Sequence, residues 1–485
     1  MSASILFSLV IAYFLILLFV SWKTGKGSNN ESFFIGNRNS NWMLVAFGMI
    51  GTSLSGVTFV SVPGAVGKDA WGYMQVTLGY MIGYVTIALV LLPLYYRLKL
   101  TSIYDYLLKR LGFLSYKTGA SFFILSRLVG ATARLYLVVN ILQNTILDSF
   151  GVPFWLSTLI ILAMIILYTF EGGVKTIVWT DTLQTSGMLL GLIICTIYLL
   201  THMHLGLGES FHAMSEKGLT RIFNTDPNSK NFFVKQIIAG AFITITMTGI
   251  DQEMMQKSIS VTNLKDSKKN MLTLSVIMVV VLGLFLFLGG LLYLYAGKEG
   301  IAVSGDALFP EIALHHMTPM ISVIFIIALI SALFPSADGA MTALTASFCI
   351  DILGMNRKEN WSEAKKKKVR QLVHLITAFS FLIMVLIFKW INDKSMIGII
   401  LKLAGYTYGP LLGLFAFGIF TKRKVKDAVV PIICIVAPIL CYLIDENQKK
   451  LFGGFEIGLE LLVINAAITY VGLLIFSKKQ VELEK

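Results

Sequence analysis

Gly51-Thr-Ser-Leu-Ser-Gly-Val-Thr-Phe-Val-Ser-Val-Pro-Gly64 lies inside an apolar run long enough to cross a membrane, yet its composition works against a continuous helix. Gly51, Gly56 and Gly64 lower helix propensity, and Pro63 removes a backbone donor. Thr52, Ser53, Ser55 and Thr58 supply hydroxyls that can re-satisfy freed backbone groups. Unwound backbone at membrane depth survives only where it is buried in protein or lines a cavity. Exposed carbonyls there can hold a sodium ion, and nearby half-helix ends and hydroxyls can hold a solute. The competing reading of the same residues is a glycine-rich helix packed closely on its neighbours.

The rest of the chain supports a membrane setting. Of 485 residues, 56% are hydrophobic and 14% are charged, against about 25% charged in a soluble domain. Apolar runs of about 18 residues or more recur along the chain, as in an all-α polytopic membrane protein. The first run lacks a basic start and a small-residue cleavage site, so it is expected to remain as a helix. The net charge of +13 fits basic cytoplasmic loops and needs no nucleic acid. Cys195, Cys349, Cys434 and Cys441 all sit in apolar runs without metal spacing and read as small core residues.

Thirteen spans are expected, at about 4–20, 42–63, 74–95, 118–147, 154–170, 176–201, 234–256, 271–297, 318–351, 368–389, 396–420, 428–444 and 457–476. Sorting the loops by parity tests this count. One set, which includes Lys257, Lys365 to Lys368, Lys394's opposite neighbours at 422–426 and the tail lysines Lys478, Lys479 and Lys485, holds 27 basic residues. The other, which includes Lys68, Lys217, Lys394 and Lys449, holds 8. That asymmetry places the N-terminus outside and the C-terminus in the cytoplasm. The 202–233 loop is then long, polar and external, and Lys365 to Lys368 form a solvated face beside anionic lipid.

Ionisable residues within spans are costly and mark candidate functional positions. Asp181 follows Val-Trp-Thr in the sixth span, and Asp338 lies in Ser331-Ala-Leu-Phe-Pro-Ser-Ala-Asp-Gly-Ala340 of the ninth. Pro335 frees a carbonyl near Ser331, while Ser336 and Asp338 offer further oxygen ligands of the kind hard cations prefer. Asp338 can equally pair with a basic residue across the bundle. Arg127 and Arg134, seven residues apart, share a helix face, where a guanidinium fork either receives a carboxylate or pairs structurally. Lys402 either joins them or snorkels to the interface. The seventh span carries a second set of interruptions: Gly240, Thr244, Thr246, Thr248, Gly249, Asp251 and Gln252. Two broken spans five apart are the arrangement expected of an inverted repeat of five plus five helices.

On these residues the chain resembles the sodium/solute symporter family, which includes bacterial sodium/proline, sodium/galactose and sodium/sialic acid symporters. The motifs are Gly51 to Gly56 with Pro63-Gly64, Gly172-Gly-Val-Lys-Thr-Ile-Val-Trp-Thr-Asp-Thr-Leu-Gln184, Ser336 to Asp351, and Gly409-Pro-Leu-Leu-Gly-Leu-Phe415. The resemblance runs from the second span through the eleventh. It implies a LeuT-type fold: an extra N-terminal helix at 4–20, inverted repeats at 42–201 and 234–420, and two C-terminal helices at 428–476. It implies a main sodium site of the Gly51 and Leu54 carbonyls, the Ala332 carbonyl, and the positions Pro335 and Ser336. Ser336 fits the family's hydroxyl pair, and Pro335 departs from it. In some members a second sodium site surrounds the aspartate matching Asp181, with serines that fall here on Asp338 and Gly339. Two carboxylates near one site imply either two cations or one protonated carboxyl.

The solute site implied by the resemblance lies against Ser53, Ser55 and Thr58 and is completed by Gln75, Arg134, Thr244 and Met247. Hydroxyls with one arginine suit a small carboxylate such as an amino acid, sialic acid or vitamin acid. A sugar or polyol is less favoured, because the family's sugar-binding asparagine falls on Thr244 and an aromatic gate falls near Met247. The resulting expectation is a sodium-coupled symporter of the cell membrane that imports a small organic solute by alternating access, with one or two sodium ions. A monomer is sufficient for this, and no nucleic-acid partner is implied. The alternatives are proton coupling on the same fold, a solute sensor, a channel or an intramembrane enzyme. The aspartate contexts differ from those of intramembrane proteases, no filter repeat is evident, and no signalling domain is expected on the nine residues after 476.

Overall fold

The computed structural model describes residues 3–26, 30–170, 173–391 and 396–478. Gly172 of the Gly-Gly motif and Lys394, Lys479 and Lys485 of the basic tally lie outside these residues. The long helices in chain order are α1 (Ala3–Gly25), α2 (Trp42–Ser53), α3 (Gly56–Asp69), α4 (Tyr73–Arg97), α5 (Phe113–Phe150), α6 (Phe154–Thr169), α7 (Gly173–Met203), α8 (Phe233–Gly249), α9 (Gln252–Ile259), α10 (Leu264–Glu299), α11 (Pro319–Ile352), α12 (Glu363–Ile391), α13 (Met396–Phe420), α14 (Asp427–Glu446) and α15 (Leu461–Ile475). Among the described residues, α2 with α3 and α8 with α9 are two spans bent by 58° and 66°. Each of the thirteen expected segments has a counterpart in these helices or bent pairs. The secondary structure is almost entirely helical; a two-residue ribbon pairs Lys424–Val425 with Ser477–Lys478.

The first break falls inside the expected 51–64 stretch. Pro63 does not end a helix; it sits inside α3, which runs on to Asp69. The chain unwinds at Leu54 and Ser55 instead, where Leu54 has φ −98° and ψ 78° and Ser55 is extended. The second break falls at Ile250 and Asp251, and the Asp251 carboxylate caps α9 by accepting from the backbone N–H groups of Glu253 and Met254 at 2.9 and 3.3 Å.

Within a bilayer, helices gain little from hydrophobic burial against one another, so close backbone approach carries much of the packing. Three crossings show it. A Cβ on Gly79 of α4 would collide with the Ile237 carbonyl of α8, and one on Gly240 with the Val76 carbonyl. Gly191 of α7 lies against Ala328 of α11 in the same way. Gly409 and Gly413 let α13 close on Asn465 and Thr469 of α15. The 202–233 segment, with a short helix at Leu207–Glu216, is tied to the start of α4 through Asn224 N–H donating to Gln75 Oε1 at 3.1 Å. All four cysteines are buried with free thiols.

Candidate solute and ion site

The first break brings the expected ion ligands together. Gly51 donates its N–H to Thr185 Oγ1 at 3.2 Å, and only glycine fits there, because a Cβ would run into that hydroxyl and lie 3.5 Å from Pro335 Cγ. Gly56 sits where a Cβ would run into Val138 of α5 and would lie 3.7 Å from the Leu333 backbone of α11. So α2 and α3 meet α11 at the turn that carries Ala332, Pro335 and Ser336. A helix leaves its last carbonyls without intrahelical donors. Leu54 N–H satisfies Ile50 O at 2.8 Å. Among the described residues no donor reaches the carbonyls of Gly51 to Leu54. Gly51, Leu54, Ala332 and Ser336 are all buried. Ser336 Oγ donates to Leu333 O at 2.9 Å, which leaves its lone pairs to accept or coordinate.

The second break differs. Two of its freed carbonyls are occupied: Tyr95 donates to Gly249 O at 2.8 Å and Tyr104 to Ile250 O at 3.0 Å. The donor set at the first break is all oxygen, as a hard cation requires.

Between the breaks lies a cavity of about 90 Å³. Ser53, Ser55 and Thr58 line one side, and Arg134, Thr244 and Met247 line the others. Sequence reasoning missed the tyrosines there: Tyr73 and Tyr80, linked through their hydroxyls at 3.0 Å, and Tyr84. Gln75 is a correction. Its amide is engaged with Gly72 O, Asn231 O and Asn224 N–H, and it lines a separate vestibule of about 800 Å³. Tyr73 and Leu401 border both spaces and separate the cavity from the vestibule. Lys402 stands in that vestibule, paired with Asp445 at 2.9 Å.

The two arginines of α5 divide their roles. Arg127 is buried and ion-paired with Glu253, with Asp251 at 3.8 Å. Arg134 lines the cavity alongside it, but among the described residues no carboxylate lies within ion-pair distance of Arg134. One ring of groups distinguishes a free guanidinium from a spent one, and only the fold supplies that ring.

A further correction concerns Lys257, Asp181 and Asp338. Lys257 is not a loop residue: it is buried on α9, with its ammonium 2.7 Å from Asp181 Oδ2, 2.7 Å from Thr52 Oγ1 and 3.6 Å from Glu253 Oε1. Asp181 therefore faces a lysine rather than a second carboxylate. Asp338 turns aside, accepting from Tyr168 Oη at 2.7 Å and from the N–H of Gly339. It has no basic partner within ion-pair distance among the described residues. The signal available in the sequence was spacing: Lys257 is one helical turn after Glu253, which puts both on one face of the polar half-helix.

Comparison with known proteins bears on what this arrangement belongs to. The sequence pattern of the Sodium:solute symporter family matches residues 33–429. The chain is 25% identical over 459 residues to the sodium/sialic acid symporter SiaT of Proteus mirabilis, covering 90% of this chain and 88% of that protein. It is 25% identical over 417 residues to the sodium-coupled monocarboxylate transporter 1 of Mus musculus, covering 83% and 66%. Among solved structures, a substrate-bound, outward-open Na+-coupled sialic acid symporter superposes with a TM-score of 0.84 at 20% identity, covering 98% of this chain and 99% of that one. The nucleobase-cation-symport-1 transporter Mhp1 superposes with a TM-score of 0.60 at 13% identity, covering 93% and 94%.

Proposed function

This chain belongs to the sodium:solute symporter family, and from that premise we propose that it imports a small organic carboxylate with sodium across the plasma membrane. Coupled transport by this fold needs an ion site and a solute site that share structural elements, so that each ligand favours the other's binding. The first break supplies both. Gly51 and Leu54 have undonated carbonyls where α2 packs near Pro335 of α11, and Ser53, Ser55 and Thr58 line the cavity. Sodium held by those carbonyls would fix the break in the shape that the solute meets. The Pro335 position contributes no hydroxyl, so the site relies on Ser336 and the backbone.

The observation that carries the carboxylate reading is Arg134, a guanidinium on the cavity wall with no carboxylate within ion-pair distance among the described residues. Placing it there without a partner costs desolvation, which a solute carboxylate would offset with a bidentate, charge-assisted pair. Hydroxyls and the Tyr73, Tyr80 and Tyr84 rings supply the rest of the surface. The names of the relatives agree in kind, since sialic acids and monocarboxylates are carboxylates.

The two bent pairs occupy matching places in 42–201 and 234–420, which supports reading these segments as inverted repeats, with α1 before them and α14 and α15 after. The cavity opens past Tyr73 and Leu401 toward the vestibule beside the 202–233 loop. The charge asymmetry of the loops assigns that side to the exterior, with the N-terminus outside and the C-terminus in the cytoplasm. Arg127, Glu253, Lys257 and Asp181 form a buried ion-pair cluster beside the cavity.

The test is uptake into proteoliposomes. With an inward sodium gradient, a radiolabelled sialic acid, a short monocarboxylate and an uncharged hexose would be offered in turn. The expected result is accumulation of a carboxylate above its external concentration in sodium and none in choline. Uptake of the hexose alone, or uptake indifferent to sodium, would overturn the reading.

A further inference from the structure

We propose that Lys257 is a built-in cation that fills the second ion position of this fold, so that the transporter binds and moves a single sodium ion per solute. The proposal rests on the symport reading above and adds its ion stoichiometry. The residues around Asp181 do not suit a second sodium. The Lys257 ammonium lies 2.7 Å from Asp181 Oδ2, with Thr52 Oγ1 bridging at 2.7 Å to the ammonium and 3.2 Å to the carboxylate. Glu253 Oε1 completes a three-sided oxygen cage at 3.6 Å. Lysine and Asp181 are both almost wholly buried, at 3% and 0% exposed. An ammonium and a sodium ion carry the same charge and accept the same oxygen ligands, so the two cannot share this place.

The neighbouring positions are consistent with that occupant. Gly339 stands where the resemblance implies a hydroxyl, and its missing side chain is what admits the pair: a Cβ would run into the Glu253 carboxylate and lie 3.2 Å from Lys257 Nζ. Asp338, at the other implied hydroxyl position, spends its oxygens on Tyr168 and on the Gly339 N–H. The glycine, the diverted aspartate and the lysine thus form one arrangement around Asp181. A cation on a side chain arrives with the fold. It neutralises Asp181 and ties α9 to α2 and α7, but it draws nothing from the sodium gradient.

The probe is radioactive sodium alone, bound to the purified full-length protein in detergent, with the number of ions per protein as the readout. The wild type is expected to bind one. Lys257→Met opens the cage and is expected to bind two, and adding Asp181→Asn returns the count to one. Two ions on the wild type, or one on a folded Lys257→Met protein, would overturn the proposal. No sodium on the wild type would instead overturn the symport reading beneath it. Should Lys257→Met fail to fold, Lys257→Ala decides by the same count: two ions support the proposal, and one refutes it.

Discussion

Arg127 and Arg134 sit seven residues apart on one face of α5 and both line the cavity, but their partners differ. Arg127 is locked to Glu253 and stands near Asp251, while Arg134 faces the cavity without a carboxylate. The account assigns them different failures. Arg134→Lys keeps the charge and loses the planar fork, and Arg134→Ala loses both. A charge-assisted hydrogen bond contributes about 1.5–3 kcal/mol, so KM for the carboxylate should rise about 10–100-fold in Arg134→Ala. Sodium binding should persist in that variant, and equal loss of both would contradict the assignment. Arg127→Ala should instead lower the melting temperature whatever the solute, because it strands buried carboxylates at a cost of about 3–5 kcal/mol. The shared face of the arginines was legible from spacing alone. Their partners were not, because the opposing helix and its rotation are set by tertiary packing. Lys257 was misplaced for the same reason: a run of lysines at 265–269 made it read as the first residue of a loop.

At the scale of the helix, the two breaks are built on different chemistry. The second has tyrosine hydroxyls on its Gly249 and Ile250 carbonyls, and the first has no donor on those of Gly51 to Leu54 among the described residues. Tyr95→Phe should cost about 1–3 kcal/mol, as a buried carbonyl loses its donor. A lower melting temperature with an intact sodium response is the expected readout, and loss of that response would place the second break in the ion site. Gly51→Ala drives a methyl group into Thr185 Oγ1, and overpacking of this kind costs about 1–3 kcal/mol. Trimming the obstacle with Thr185→Ala should recover part of that loss, so a double-mutant cycle should show coupling rather than additivity. Glycines and hydroxyls announced the first break, which falls at Leu54 and Ser55 within the stretch they mark, while Pro63 does not add to it. Proline inside a membrane helix is tolerated when neighbours and side chains re-satisfy the freed group, and α3 continues through it.

For the whole molecule, hydropathy and loop charge were enough to count the spans, because the bilayer fixes helix length and the loops carry the sign. The family resemblance then supplied the fold, which the superposition on a sialic acid symporter bears out. Gln75 escaped this reasoning: a polar residue near a cavity and a polar residue holding a loop look alike in sequence, and only the 224–231 segment folding over α4 separates them. The orientation assignment predicts that a cysteine-directed, membrane-impermeant label added to intact cells reaches a cysteine placed at Lys217 and misses one placed at Lys366. Labelling of the second alone would invert the topology.

Sodium coupling at the first break is the claim on which the rest depends, and it can be tested before the solute is known. A ligand that binds only the folded state raises its stability by mass action, by about 2.7 kcal/mol at 100 times Kd. The measurement is the melting temperature of the purified protein in sodium chloride and in choline chloride at equal ionic strength, for the wild type and for Ser336→Ala. The account predicts a sodium-specific rise in the wild type that shrinks or vanishes in Ser336→Ala. Equal melting temperatures in the two salts for the wild type, or a full sodium response in the variant, would contradict it.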